Sequence, residues 1–104
     1  MDTLTLVYQV QLTEEFKGWL DALRDRRAQI RIVARLRSAE AGNLGDWKSV
    51  GGGVSELRLS FGAGYRLYFT RRGRIVIVTL AGGDKSSQKS DIERAQLIAR
   101  ELAA

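Results

Sequence analysis

Apolar and polar positions alternate from the start of the chain, with Leu4, Leu6, Tyr8, Val10 and Leu12 on one side and Thr3, Thr5, Gln9 and Gln11 on the other. Val7 is the exception, and the pattern predicts a half-buried strand. The period then changes. Phe16, Trp19, Leu20 and Leu23 recur at helical spacing behind Thr13, a natural N-cap, with Glu14 and Glu15 where the helix dipole favours anions. Asp25 can cap a second helix running to about Ala41, with Ala28, Ile32, Val33, Leu36 and Ala39 on one arc and Arg27, Arg31 and Arg35 in a row on another side. Gly42 to Gly53 reads as loop. Strand periodicity returns in Leu57, Leu59 and Phe61, and again in Tyr65, Leu67 and Phe69 after the turn Gly62-Ala63-Gly64. A second turn at Arg71–Arg74 leads into Ile75-Val76-Ile77-Val78, which has no polar member and predicts a central strand covered on both faces. Gly82–Ser87 is expected to be a loop entering a last helix, Ser87 to Leu102, striped by Ile92, Ala95, Ala99 and Leu102.

The order β-α-α-β-β-β-α predicts one α+β domain over residues 1–104, with an antiparallel sheet, two N-terminal helices and one C-terminal helix. No apolar stretch is long enough to span a bilayer and no secretory signal is visible at the N-terminus. Together with the absence of cysteine, this fits a cytoplasmic protein.

Charge sharpens the picture. The chain carries 17 Lys+Arg against 12 Asp+Glu, and the excess sits in two segments, residues 24–37 and 58–74. Thirteen of the basic residues are arginine, whose planar fork suits phosphate. A polyanionic partner is the first functional suspicion; the alternative is a solubilising surface. With no histidine, a Ser-His-Asp triad, an imidazole-based zinc site and a His-His ribonuclease are excluded. No cofactor or metal is expected.

Three places can carry chemistry. Alternation puts Arg58, Arg66 and Tyr68 on the face opposite the Leu/Phe set, and an open sheet face bearing them would suit a phosphodiester. Glu56 shares that face. Gly82-Gly83-Asp84-Lys85 before a helix offers backbone N–H groups and a lysine to an anion, or is simply a capped turn. Trp47 and Lys48 in a glycine-rich loop can stack on an unpaired base or tuck over the edge of the core. The row Arg27, Arg31 and Arg35 is either a solvated helix face or a contact surface for RNA or a protein partner.

The combination GNxGDxK, ELRxxFGxGYRxYF and GGDKxxQxxDI, spread over the chain from about Phe16 onward, resembles the RelE/HigB-type toxins of bacterial type II toxin–antitoxin modules. Within these it is most similar to the addiction-module killer proteins. The resemblance implies a RelE-like fold and a metal-independent endoribonuclease that cuts mRNA, usually on the ribosome, with no cofactor. It also implies an antitoxin partner, often a helix-turn-helix protein. By motif it assigns Arg66, Arg58 and Lys85 to the scissile phosphate. The general base stays open between Glu56, Tyr68 and a lysine whose pKa is lowered by neighbouring arginines. The chain departs from the family at Glu56, where a basic residue is common, and near Asp91, where some members carry a tyrosine. Two other outcomes stay open: a non-cleaving ParE-type inhibitor of DNA gyrase, and an inactive member that only binds its antitoxin.

Overall fold

The computed structural model describes residues 7–73 and 76–103, so Leu4, Leu6 and Ile75 of the expected strands lie outside the described residues. Strand β1 (Gln9–Leu12) leads into helices α1 (Glu14–Ala22) and α2 (Arg26–Glu40). Four strands follow, β2 (Trp47–Gly51), β3 (Val54–Leu59), β4 (Tyr65–Arg72) and β5 (Val76–Gly83), then a 3-10 turn (Lys85–Ser87) and α3 (Gln88–Ala103). The architecture is α+β, with one five-stranded sheet in the order β1-β5-β4-β3-β2.

Local chemistry sets the helix starts. The Thr13 hydroxyl accepts from the Phe16 N–H, and the Asp25 carboxylate accepts from the N–H groups of Arg27 and Ala28. Ala28, Ile32, Leu36 and Ala39 turn inward from α2, whereas Val33 stays exposed at its margin.

Two expectations about the sheet are corrected. Part of the segment read as loop is a strand, β2, paired antiparallel to β3 with Trp47 opposite Leu57. It is an edge strand exposed along most of its length, with only Val50 partly covered, so no alternation marked it. The sheet is also mixed rather than wholly antiparallel, because β1 runs parallel to β5, with Gln9 opposite Val76 and Leu12 opposite Thr79.

The larger correction concerns the second face. Leu57, Leu59, Leu67, Phe69 and Ile77 pack under α1 and α2 with Phe16 and Ile32, as alternation requires. The opposite face is not open: α3 lays Ala95 and Ile98 over Val54, Tyr68, Val78 and Leu80. Ile98, rather than Leu102, completes the helix stripe, and Leu102 is exposed. Ile77 and Val78 enter different clusters, which bears out β5 as a central strand covered on both sides.

Candidate functional site: a basic groove at the ends of β3 and β4

Arg58 and Arg66 are cross-strand partners in the β3–β4 ladder, which places their side chains next to each other at the end of the hairpin. The turn between the strands closes through a hydrogen bond from the Gly64 N–H to the Phe61 carbonyl. Gly64 has a φ of 76°, a left-handed conformation that glycine adopts without penalty. A Cβ there would lie 3.2 Å from the Lys85 Cβ, so the bare backbone also makes room for that residue. The Lys85 N–H in turn donates to the Ala63 carbonyl at 3.3 Å. These contacts gather Arg58, Arg66 and Lys85 around one groove of ≈ 610 Å³, which is also lined by Asp46 and the Gly62–Gly64 turn.

The sequence Gly82-Gly83 that feeds Lys85 is strand rather than loop. A Cβ at residue 82 would stand 2.2 Å from the Trp19 ring of α1, and one at residue 83 would stand 1.8 Å from the Asp91 carboxylate of α3. The two glycines are therefore required by helices approaching from both faces. Asp84 caps the following turn. Its carboxylate accepts from the Ser86 hydroxyl and N–H, and these bonds hold it below the ordinary aspartate range.

The three cations are not equivalent. Arg58 is bridged to Asp46 at 3.1 Å and its side chain is about one-third exposed. Lys85 is exposed. Arg66 is the most enclosed, with 13% of its side chain accessible, and its Nε faces the Glu56 Oε2 at 3.8 Å, close enough for ion pairing but too long for a hydrogen bond. Glu56 itself is wholly buried, and its Oε2 accepts from the Gln88 amide of α3 at 2.8 Å. Tyr68, opposite Glu56 in the ladder, is likewise sealed, and its hydroxyl has no hydrogen-bond partner among the described residues. Burial first, and the neighbouring Glu56 charge second, push the Tyr68 phenol above its ordinary range. Both residues lie beneath α3 and outside the lining of the groove. Tyr68 cannot stack on a base, and Glu56 is placed to orient Arg66 from below.

The arginine row of α2 also separates. Arg27 is exposed at the first turn. Arg31 lays its guanidinium 4.7 Å over the Phe61 ring. Arg35 turns inward and donates four hydrogen bonds to the carbonyls of Leu44, Asp46 and Arg58, so it is a structural tie rather than part of a surface ridge. Trp47 is 41% exposed, lies near Phe69 and carries the Arg71 guanidinium 4.9 Å over its ring. Neither it nor the exposed Lys48 lines the groove. Arg71, which also stands over Tyr8 at 5.7 Å, was not singled out by its sequence context. Among the described residues no group of three or more potential metal ligands occurs, and no helix is long and apolar enough to cross a membrane.

No family model matches the chain. An uncharacterized protein of Haemophilus influenzae is 42% identical over 97 residues, spanning 93% of this chain and 98% of its own length. Among solved structures, a mutant of the E. coli toxin RelE in the free state superposes with a TM-score of 0.63. That match covers 86% of this chain and 98% of the toxin at 15% identity, a likeness of fold. The chain thus has a RelE-like fold and belongs to the same family as the Haemophilus influenzae protein.

Proposed function

We propose that this protein is the toxin of a type II toxin–antitoxin module, an endoribonuclease that cleaves mRNA, in association with the ribosome, in the cytoplasm. The observation that carries the reading is the convergence of Arg58, Arg66 and Lys85 on one groove of a RelE-like fold. Three cations around one groove match what transfer at phosphorus needs, because negative charge grows on the non-bridging oxygens as the transition state forms. The nucleophile is the substrate's own 2′-hydroxyl, attacking the adjacent phosphorus and expelling the 5′-oxygen of the next nucleotide. The 5′-oxygen takes a proton from water as it leaves, so the products are a 2′,3′-cyclic phosphate and a free 5′-hydroxyl. Arg66 and Lys85 hold the phosphate oxygens, and Arg58 adds charge from beside Asp46. Asp46 is the carboxylate that lines the groove, with one oxygen engaged by Arg58, and it is the best-placed acceptor for the 2′-hydroxyl proton. No metal or cofactor takes part.

The partner of such a toxin is an antitoxin, a helix-turn-helix protein in this reading, which suppresses activity until it is degraded. Arg66→Ala tests the function. Its expected outcome is loss of growth arrest on induction while the purified protein keeps its circular dichroism spectrum. Full toxicity in that variant refutes the assignment. Primer extension on cellular mRNA after induction of the unaltered protein separates the remaining readings. Discrete cuts support the nuclease, intact mRNA with a DNA-damage response points to a ParE-type gyrase inhibitor, and induction without effect points to an inactive antitoxin-binding member.

A further inference from the structure

The basic groove does not end at the hairpin turn. Ser60 and Phe61 line it on one side and on their other side line a second groove of ≈ 430 Å³, between α2 and the end of β3. We propose that this second groove is a nucleobase pocket, which receives the base of the nucleotide next to the phosphate held by Arg58, Arg66 and Lys85. The inference rests on the ribonuclease reading above and adds to it a contact that reads a base rather than the backbone.

Five observations support it. The Arg31 guanidinium stands over Phe61, 4.7 Å from the ring centre, and the pair brings together two planar groups of the kind on which unpaired bases stack. Arg31 has no carboxylate within ion-pairing distance among the described residues, so its charge is not spent inside the protein. Ala34 and Leu59 give the groove an apolar floor, while Ser38 and Ser60 supply hydroxyls able to donate to or accept from a base edge. The volume lies in the range of small-molecule clefts, roughly 300–1,000 Å³. Contiguity is the fifth. A nucleotide joins a charged phosphate to a flat base within one residue of chain, and here a charged groove adjoins one that mixes apolar side chains with hydroxyls, across the shared Ser60 and Phe61. Arg35 fixes the two relative to each other, since it binds the Arg58 carbonyl at 2.9 Å from α2.

The test uses the full chain and a short single-stranded RNA in which the reacting 2′-hydroxyl is methylated to prevent cleavage. Matched oligonucleotides carry one abasic site, moved position by position along the strand, and binding is followed by fluorescence anisotropy. At one position beside the scissile phosphate, loss of the base is expected to weaken binding about tenfold, in keeping with the usual contribution of base stacking. Arg31→Gln, at an exposed site, and Phe61→Leu are expected to weaken binding of the intact strand about tenfold while leaving that abasic strand within about twofold of the wild-type value. Phe61 also packs against Tyr65 at 5.4 Å, so Arg31→Gln keeps the test decisive if Phe61→Leu folds poorly. Equal penalties on intact and abasic strands at every position overturn the pocket and leave Arg31 as a backbone contact. Failure of the underlying reading looks different, because induction of the unaltered protein then leaves cellular mRNA uncut whatever Arg31 does.

Discussion

Glu56→Gln isolates what the buried carboxylate contributes beneath the groove. Glutamine has nearly the same shape, so no cavity opens and Gln88 keeps a neighbour to bond; one negative charge is removed. The carboxylate is fully buried, the Arg66 side chain is 13% exposed, and their closest atoms are 3.8 Å apart. At that separation two unit charges attract by about 4 kcal/mol when the effective dielectric constant is about 20. Desolvation of both groups takes back a large part of that, and a net loss of about 1–2 kcal/mol is expected on neutralising one of them. For a chain of this length, such a loss lowers Tm by about 4–16 °C. Removing the charge also raises the positive potential of the groove, so an uncleavable RNA is expected to bind at least as tightly as before. Turnover, by contrast, is expected to fall about tenfold as Arg66 loses its orientation, a loss of roughly 1.4 kcal/mol in transition-state stabilisation. Thermal melts, anisotropy titrations and single-turnover cleavage read the three quantities separately. An unchanged Tm with unchanged turnover refutes the coupling of Glu56 to Arg66. A fall in turnover beyond about a thousandfold, with loss of the acidic limb of the pH profile, identifies Glu56 as the general base instead.

Three further outcomes follow from the packing. Gly82→Ala puts a Cβ 2.2 Å from the Trp19 ring, which is itself 5.6 Å from Phe16 and 6.3 Å from Tyr65, and the overpacking is expected to cost about 1–3 kcal/mol in a denaturant melt. Arg35→Lys retains the charge but cannot reach the carbonyls of Leu44, Asp46 and Arg58 together, so stability is expected to drop by about 1–3 kcal/mol in a denaturant melt. Tyr68 supplies a pH test. Its phenol is raised by burial and by Glu56, so the folded protein holds a proton that the unfolded chain releases above about pH 10. Its contribution is therefore complete below the unfolded value and shrinks by about 1.4 kcal/mol per pH unit above it, until the raised folded value is reached. Tyr68→Phe should remove that alkaline decline without lowering stability at pH 7, and an identical decline in both proteins would refute the assignment.

The elements legible from the chain are those written in local chemistry. Thr13 and Asp25 cap their helices because a short side-chain oxygen reaches N–H groups two or three residues on, which needs no knowledge of the rest of the fold. The β3–β4 hairpin was legible because its alternation is set by a core on one side. Alternation reports which residues share a face, however, and not what covers that face. Glu56, Arg58, Arg66 and Tyr68 read as an open polar surface, whereas α3 closes over the first and the last of them. The edge strand β2 left no trace because only Val50 on it is half-buried. The convergence of Lys85 on the arginines came from the resemblance alone, since nothing local to residue 85 announces a turn 21 positions earlier as its neighbour. Arg35 was indistinguishable in sequence from Arg27 and Arg31, and only the position of the Leu44–Asp46 carbonyls separates them.

The glycine pair at the end of β5 has a mechanical consequence. With no side chains at residues 82 and 83, Trp19 bears on the strand from one side and Asp91 from the other, as the jaws of a vice hold a bar. Lys85 leaves the clamp after a single intervening residue, Asp84, whose carboxylate is itself tied to Ser86. Its ammonium is thus carried on a short lever with a fixed fulcrum, free only in its own side-chain rotations. In the proposed ribonuclease, holding a phosphate at this corner would involve little ordering of backbone, so its strength would be governed by charge and water rather than by the folding of a loop.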